Sequence, residues 1–311
     1  MNRKIALVVA ALGVVGAGSL ASAEVVYAIT GATAGSSLIQ FDSASPGSAI
    51  SIGSLTGIPA GHSVRAIDFR PATGELYAMS TNATNGYNIY TVNLSTAALS
   101  LVGGGTTTTG NFPSRVSIDF NPVVDRIRVV TGNNLNLRIN PVTGALAAQD
   151  ANIAYAAGDP NNTALAAFPA DAAYSNNVAG ATSTTMYVFD FNRDVLSTQG
   201  SLGGVISPNT GQLFTVGVAV GLTDPTGFLT NDAGIGFDIS SQTGIAYLSY
   251  QDDEPGFAET FSTINLSNGL VTPIGAFNGF NVMDISVAIP EPSALGLLAV
   301  PALALVRRRR A

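Results

Sequence analysis

Two short units recur along this chain about every 50 residues, and that period limits the fold more than any other feature. The first unit sets an aspartate between apolar residues, turns, and continues into another apolar run. It reads Ile67-Asp68-Phe69-Arg70-Pro71-Ala72-Thr73-Gly74-Glu75-Leu76-Tyr77, returns as Ile118-Asp119-Phe120-Asn121-Pro122 with Asp125 ahead of Ile127, and returns again as Phe237-Asp238-Ile239 with Gly244 ahead of Ala246-Tyr247. In each, the sixth residue after the aspartate is Gly or Asp (68→74, 119→125, 238→244). That position suits a left-handed residue closing a hairpin, because Gly has no Cβ to clash and Asp tolerates the conformation better than most residues.

A second unit follows each first one and occurs once more between them: Tyr90-Thr91-Val92-Asn93-Leu94, Leu137-Arg138-Ile139-Asn140-Pro141, Tyr187-Val188-Phe189-Asp190-Phe191 and Ser262-Thr263-Ile264-Asn265-Leu266. Asp42, Asn93, Asn140 and Asp190 are 51, 47 and 50 residues apart, and the 75 residues from Asp190 to Asn265 imply an insertion around Gly203 to Thr230. No segment between the chain ends keeps a helical period. Short runs of Val, Ile, Tyr, Phe and Thr separated by Gly, Asn, Pro and Ser predict strands and turns. Four short strands per period of this length predict an all-β fold, a β-propeller of four-stranded blades. Residues 24–289 accommodate five such blades, or six if the insertion is a degenerate one; a β-sandwich or solenoid is the competing architecture. The segment Asn281 to Val287 has a first unit without its partners, and Val25–Ile29 with Leu38–Asp42 has the rest of a blade without its start. Joined, they predict that the last strand pairs with the first and removes the open sheet edges.

Composition excludes several kinds of chemistry. The chain has no Cys and one His, His62, so disulfides, cysteine nucleophiles, iron–sulfur clusters and multi-histidine metal centres are ruled out. Between Glu24 and Ile289 there are seven Arg, no Lys and 19 acidic residues, a balance of −12 against −7 for the whole chain. Such a body repels phosphate backbones, which argues against nucleic acid as a partner. Loss of Lys4 would leave no lysine at all, which excludes Schiff-base and lysine-nucleophile catalysis as well.

The ends differ from the body. Residues 1–23 carry Arg3 and Lys4, an apolar run to Leu20, and Ala21-Ser22-Ala23, the three zones of a secretory signal peptide with cleavage by signal peptidase expected before Glu24. Residues 290–311 begin Pro290-Glu291-Pro292, continue as an apolar stretch to Val306 that Pro301 interrupts, and finish with Arg307, Arg308, Arg309, Arg310 and Ala311. As a helix, that stretch falls short of the roughly 30 Å hydrocarbon core, so it reads as a temporary transmembrane anchor with its arginines retained on the cytoplasmic side. The order of these parts resembles the PEP-CTERM sorting signal of exported bacterial proteins. The resemblance implies recognition and tail removal by the membrane enzyme exosortase, and a place at the cell surface or outside the cell, often with exopolysaccharide and biofilm. The body, through its Asp-Phe-x-Pro stretches and Ala-Gly-Ala-Thr-Ser-Thr-Thr-Met-Tyr at residues 179–187, resembles an uncharacterised propeller-like family of exported bacterial proteins.

Candidate chemistry is sparse. His62 stands beside Ser63 without a Gly-x-Ser-x-Gly elbow, and adjacency in sequence is no triad geometry. Asp68, Asp119, Asp238 and Asp284 occupy equivalent repeat positions. On innermost strands they would ring the axis and could hold Ca²⁺; alternatively each accepts N–H groups within its own turn. Asp190-Phe191-Asn192-Arg193-Asp194 has the first ligand spacings of a calcium loop but lacks its later Gly and Glu, and Asp252-Asp253-Glu254 reads as a solvated acidic loop. The expected function is therefore an exported, non-enzymatic binding or structural protein associated with extracellular polysaccharide. The competing expectation is a secreted polysaccharide-active enzyme using carboxylates of the propeller.

Overall fold

The structure is a computed structural model that describes residues 23–31, 36–222, 234–251 and 259–290. Strands are numbered along the chain: β1 (Val25–Thr30), β2 (Ser37–Asp42) and β3 (Ser45–Ser54) belong to blade 1, and β4 (His62–Phe69), β5 (Leu76–Asn82), β6 (Gly86–Val92) and β7 (Leu99–Thr106) form blade 2. Blade 3 is β8 (Val116–Asn121), β9 (Arg126–Thr131), β10 (Asn136–Ile139) and β11 (Leu146–Gln149). The short β12 (Ala154–Tyr155) then crosses to the outer edge of blade 4, whose other strands are β13 (Pro169–Tyr174), β14 (Met186–Asp190), β15 (Val195–Gln199) and β16 (Gln212–Val218). Blade 5 is β17 (Ile235–Ile239), β18 (Ala246–Tyr250), β19 (Thr260–Ile264) and β20 (Val271–Ala276), after which β21 (Val282–Val287) returns to blade 1.

The blades form a five-membered ring. The inner strands β21, β4, β8, β13 and β17 each pack against the next, and β17 meets β21 to complete the circle. Closure follows the expected route: β21 pairs antiparallel with β1, with Ile29 opposite Asp284 and Val26 opposite Val287. The hairpin reading also holds, since Gly74, Asp125 and Gly244 have φ of +73°, +48° and +70°.

Five buried apolar clusters fill the five interfaces between blades. Tyr77 of blade 2 meets Phe120 of blade 3 edge to face with ring centroids 5.1 Å apart, and Phe41 of blade 1 meets Phe261 of blade 5 at 5.0 Å. Such contacts add roughly 0.5–1.5 kcal/mol each beyond the area they bury. Because inner strands are covered on both faces, β8, β13 and β17 are buried almost throughout. The closing seam is tight, and a Cβ on Gly236 would lie 2.7 Å from the Ile285 nitrogen.

Two expectations are corrected. The Tyr187–Phe191 run does not open the second half of its blade: β14 is the second strand of blade 4, and the first is β13, whose Ala-rich sequence carries little strand signal. The expected insertion resolves in part into a connection with two single-turn 3₁₀ segments, Leu202–Gly204 and Pro208–Thr210, so helical structure is not confined to the chain ends. Among the described residues no helix is long and apolar enough to cross a membrane. Ala21, Glu291, Pro292, Arg307 to Arg310 and Asp252 to Glu254 lie outside the described residues.

Candidate functional site

Each inner strand sends one aspartate toward the axis: Asp68 from β4, Asp119 from β8, Asp171 from β13, Asp238 from β17 and Asp284 from β21. All five are at most 4% exposed. Sequence reading named four of them and missed Asp171, although it continues the interval (68→119 is 51 residues, 119→171 is 52). It sits in Pro169-Ala170-Asp171-Ala172-Ala173 and precedes a long loop instead of a six-residue turn, so only the interval could have found it.

The aspartates do not serve their own turns, as one reading held. Each reaches the backbone of the following blade. Asp68 accepts the N–H of Phe120 at 2.7 Å, Asp119 that of Tyr174 at 3.1 Å, Asp171 that of Phe237 at 2.7 Å, Asp238 that of Val287 at 2.6 Å and Asp284 that of Ile67 at 2.7 Å. The turns close through other groups, such as Gly74 N–H to the Arg70 carbonyl at 2.8 Å.

The ring has two levels, because the register between neighbouring inner strands shifts. Asp68, Asp119 and Asp238 share one level, with one oxygen from each within 4.8 Å of the others. Asp284 lies two residues before Ser286, about 6.6 Å along a strand, and Ser286 takes the place of a carboxylate on the upper level. The Ser286 hydroxyl lies 2.9 Å from Asp68 Oδ1 and 3.2 Å from Asp238 Oδ2, and it accepts the N–H of Phe69 at 3.1 Å. On the lower level Asp171 and Asp284 hydrogen-bond to each other.

Five carboxyl groups this close and this buried cannot all be ionised. Burial is the largest cause raising each, followed for several by neighbouring aspartates. Asp171 is pushed up to about 7 and Asp238 to about 6, while Asp68, Asp119 and Asp284 lie well above the usual carboxylate range. The ring therefore holds protons near neutral pH and couples them, so its titration belongs to the group. Asp68, Asp119 and Asp238 are also the set whose spacing could hold a hard cation such as Ca²⁺, which takes 6–8 oxygens. Asp68 and Asp238 each accept hydrogen bonds through both oxygens, and the Ser286 hydroxyl touches both, so a cation here would have to share or displace those contacts.

The remaining candidates have structural partners. His62 begins β4 with Nδ1 3.1 Å from Ser80 Oγ, not beside the adjacent Ser63, and Ser80 in turn meets the Tyr90 hydroxyl at 3.3 Å. Asp190 receives Arg193 at 2.9 Å, the Tyr155 hydroxyl at 2.9 Å and the N–H groups of Phe168 and Asn192 at 3.0 Å, so its carboxylate anchors the loop in place of a calcium ion.

The fold and this ring can now be set beside known proteins. The family described as a domain of unknown function, DUF4394, matches residues 37–286. This chain belongs to that family. No curated protein matches it. Among solved structures, a protein provisionally named a 6-phosphogluconolactonase from Bacteroides uniformis is 13% identical, with 81% of this chain and 82% of that one covered and a TM-score of 0.45. TolB from Acinetobacter baumannii is 13% identical over 85% of this chain and 66% of that one, with a TM-score of 0.41. A chain of a nidogen–laminin complex is 11% identical over 86% and 99%, with a TM-score of 0.40. Likeness at this level carries no functional argument for the DUF4394 chain.

Proposed function

We propose that this DUF4394 protein is an exported, surface- or matrix-associated binding or structural module, matured by signal peptidase before Glu24 and by exosortase after the Pro290-Glu291-Pro292 signal. The observation that carries the non-enzymatic part is the state of the axial aspartates. They converge, but each is nearly inaccessible to solvent and occupied by the backbone of the next blade, which is what a structural lock needs and a hydrolase cannot use. Four clefts of the body are lined by Asn, Ser, Thr, Tyr, Arg and apolar residues, a lining that suits binding of a neutral or acidic ligand.

Support for processing comes from where packing begins and stops. Ala23 is exposed, while Glu24 is 4% exposed and accepts the Tyr247 hydroxyl at 2.8 Å, tying blade 1 to blade 5. At the other end β21 stops at Val287 and Pro290 is exposed. Both proposed cuts thus fall just outside the packed body. Cell fractionation with mass spectrometry of the mature termini tests the reading. Glu24 as the first residue and loss of the arginine run are expected; exported protein that retains Arg310 would overturn the sorting proposal.

A further inference from the structure

Three of the seven arginines of an otherwise acidic body line one cavity of about 320 Å³ between blades 3 and 4. Arg126 and Arg128 alternate along β9, which places both side chains on one face, and Arg128 stands directly opposite Arg138 of β10. Like charges facing each other across a ladder are destabilising unless something sits between them. Asp150 partly does so, meeting Arg128 at 2.7 Å and Arg138 through two bonds of 2.8 Å. Asp125, the next carboxylate along the chain from Arg126, is engaged by Arg70 instead. Three guanidinium groups against one carboxylate leave an excess of two positive charges in the cavity.

The arginines are not equally committed. Arg128 is buried, and besides Asp150 it holds Asn136 at 2.7 Å, Asn209 at 2.6 Å and the Tyr174 hydroxyl at 3.3 Å, so it works as a tie between blades. Arg138 is 33% exposed and directs only Nε and one Nη2–H at Asp150. Arg126 is half-buried and gives one N–H to the Asp125 carbonyl at 2.8 Å. With five N–H donors on each guanidinium, most of those on Arg126 and Arg138 remain for a ligand. Asn121, Asn209 and the Tyr174 hydroxyl share the lining and offer neutral partners for hydroxyl groups.

We infer that this cavity binds the carboxylate of a sugar-sized, hydroxylated acid. Guanidinium forks match a carboxylate in two-point geometry, the volume is at the lower end of small-molecule sites, and the neutral lining suits hydroxyls. The surrounding −12 balance disfavours densely charged polymers and so selects an isolated acidic residue on a largely neutral glycan. The inference deepens the polysaccharide-binding reading by naming the sugar class. Its test on purified protein is independent of export, so each can fail without the other.

Calorimetric titration of the purified protein with D-galacturonate, D-galactose and inorganic phosphate decides it. Saturable galacturonate binding is expected, at least about tenfold tighter than galactose, because a charge-assisted hydrogen bond contributes that much or more. Arg126→Gln should weaken it by about tenfold or more while leaving the unfolding transition unchanged, and Arg138→Gln should do the same in a second variant. Equal binding of galactose, tighter binding of phosphate, no galacturonate binding, or full retention in Arg126→Gln would each overturn the assignment.

Discussion

The carboxylate of Asp284 accepts the backbone N–H of Ile67 at 2.7 Å, joining residues 217 positions apart and fastening β21 to the first strand of blade 2. The same contact recurs around the axis, so the ring is locked by carboxylates as well as by apolar packing. A lock made of like charges must hold protons, which predicts that stability depends on pH.

Unfolded, each aspartate titrates near 3.8; folded, Asp238 and Asp171 titrate near 6 and 7 and the other three well above 3.8. Between these values the native state binds more protons than the unfolded state, so stability falls as pH rises. Each extra bound proton contributes a slope of about 1.4 kcal/mol per pH unit. Thermal unfolding in chelator should give a higher Tm at pH 5 than at pH 8, and a Tm that rises over that window would contradict the proton-holding ring. If Ca²⁺ raises Tm at pH 8 and flattens the slope, the trio Asp68, Asp119 and Asp238 takes a cation in place of its protons.

Ring closure depends on the close approach of β17 and β21. Gly236→Val puts a branched side chain where a single Cβ already falls 2.7 Å from backbone. Overpacking of this kind costs about 1–3 kcal/mol or more. Chemical denaturation should show a clearly lowered midpoint, while Gly279→Ala, where a Cβ meets nothing within 4 Å, should cost less despite its positive φ of +78°.

Asp125 combines a left-handed backbone with an ion pair, its φ being +48° and its carboxylate 2.9 Å from Arg70 Nε. Asp125→Ala loses the pair and keeps the strain. Asp125→Gly also loses the pair but relieves the strain, a difference of about 1 kcal/mol. Urea denaturation should rank wild type, then the Gly variant, then the Ala variant; an Ala variant as stable as the Gly variant would show that the turn bears no strain.

Glu24 is buried at the seam of blades 1 and 5, taking hydrogen bonds from Tyr247 at 2.8 Å and Thr243 at 3.1 Å and another from Ser240. Glu24→Ala leaves these hydroxyls without their acceptor, a loss of about 1–3 kcal/mol. Hydrogen exchange should rise first in β1 and β18; unchanged protection there would show that Glu24 does not hold the seam.

Local and periodic features were legible without coordinates. Backbone sterics alone mark Gly74, Asp125 and Gly244 as turn closers, and alternating apolar residues mark most of the strands. The split blade at the chain ends was legible too, because Asn281–Val287 has a first unit and Val25–Asp42 has what that unit lacks. Blade 4 was not. Its inner strand reads Pro-Ala-Asp-Ala-Ala-Tyr, and the strand character of its Ala and Pro residues comes from burial between neighbouring blades and not from propensity.

What the sequence determined by itself was therefore the class of fold, its period and the way its ends join, since these follow from neighbours a few residues apart. Tertiary structure decided what the aspartates do and where the arginines gather. Whether Asp68 serves its own turn or the next blade depends on the register between strands about 50 residues apart. The approach of Arg126, Arg128 and Arg138 likewise exists only once β9 and β10 pair and blade 4 supplies Asn209 and Tyr174. Charge counted along the chain is a sum, whereas a site is set by the distances between charges, and the ring fixes those.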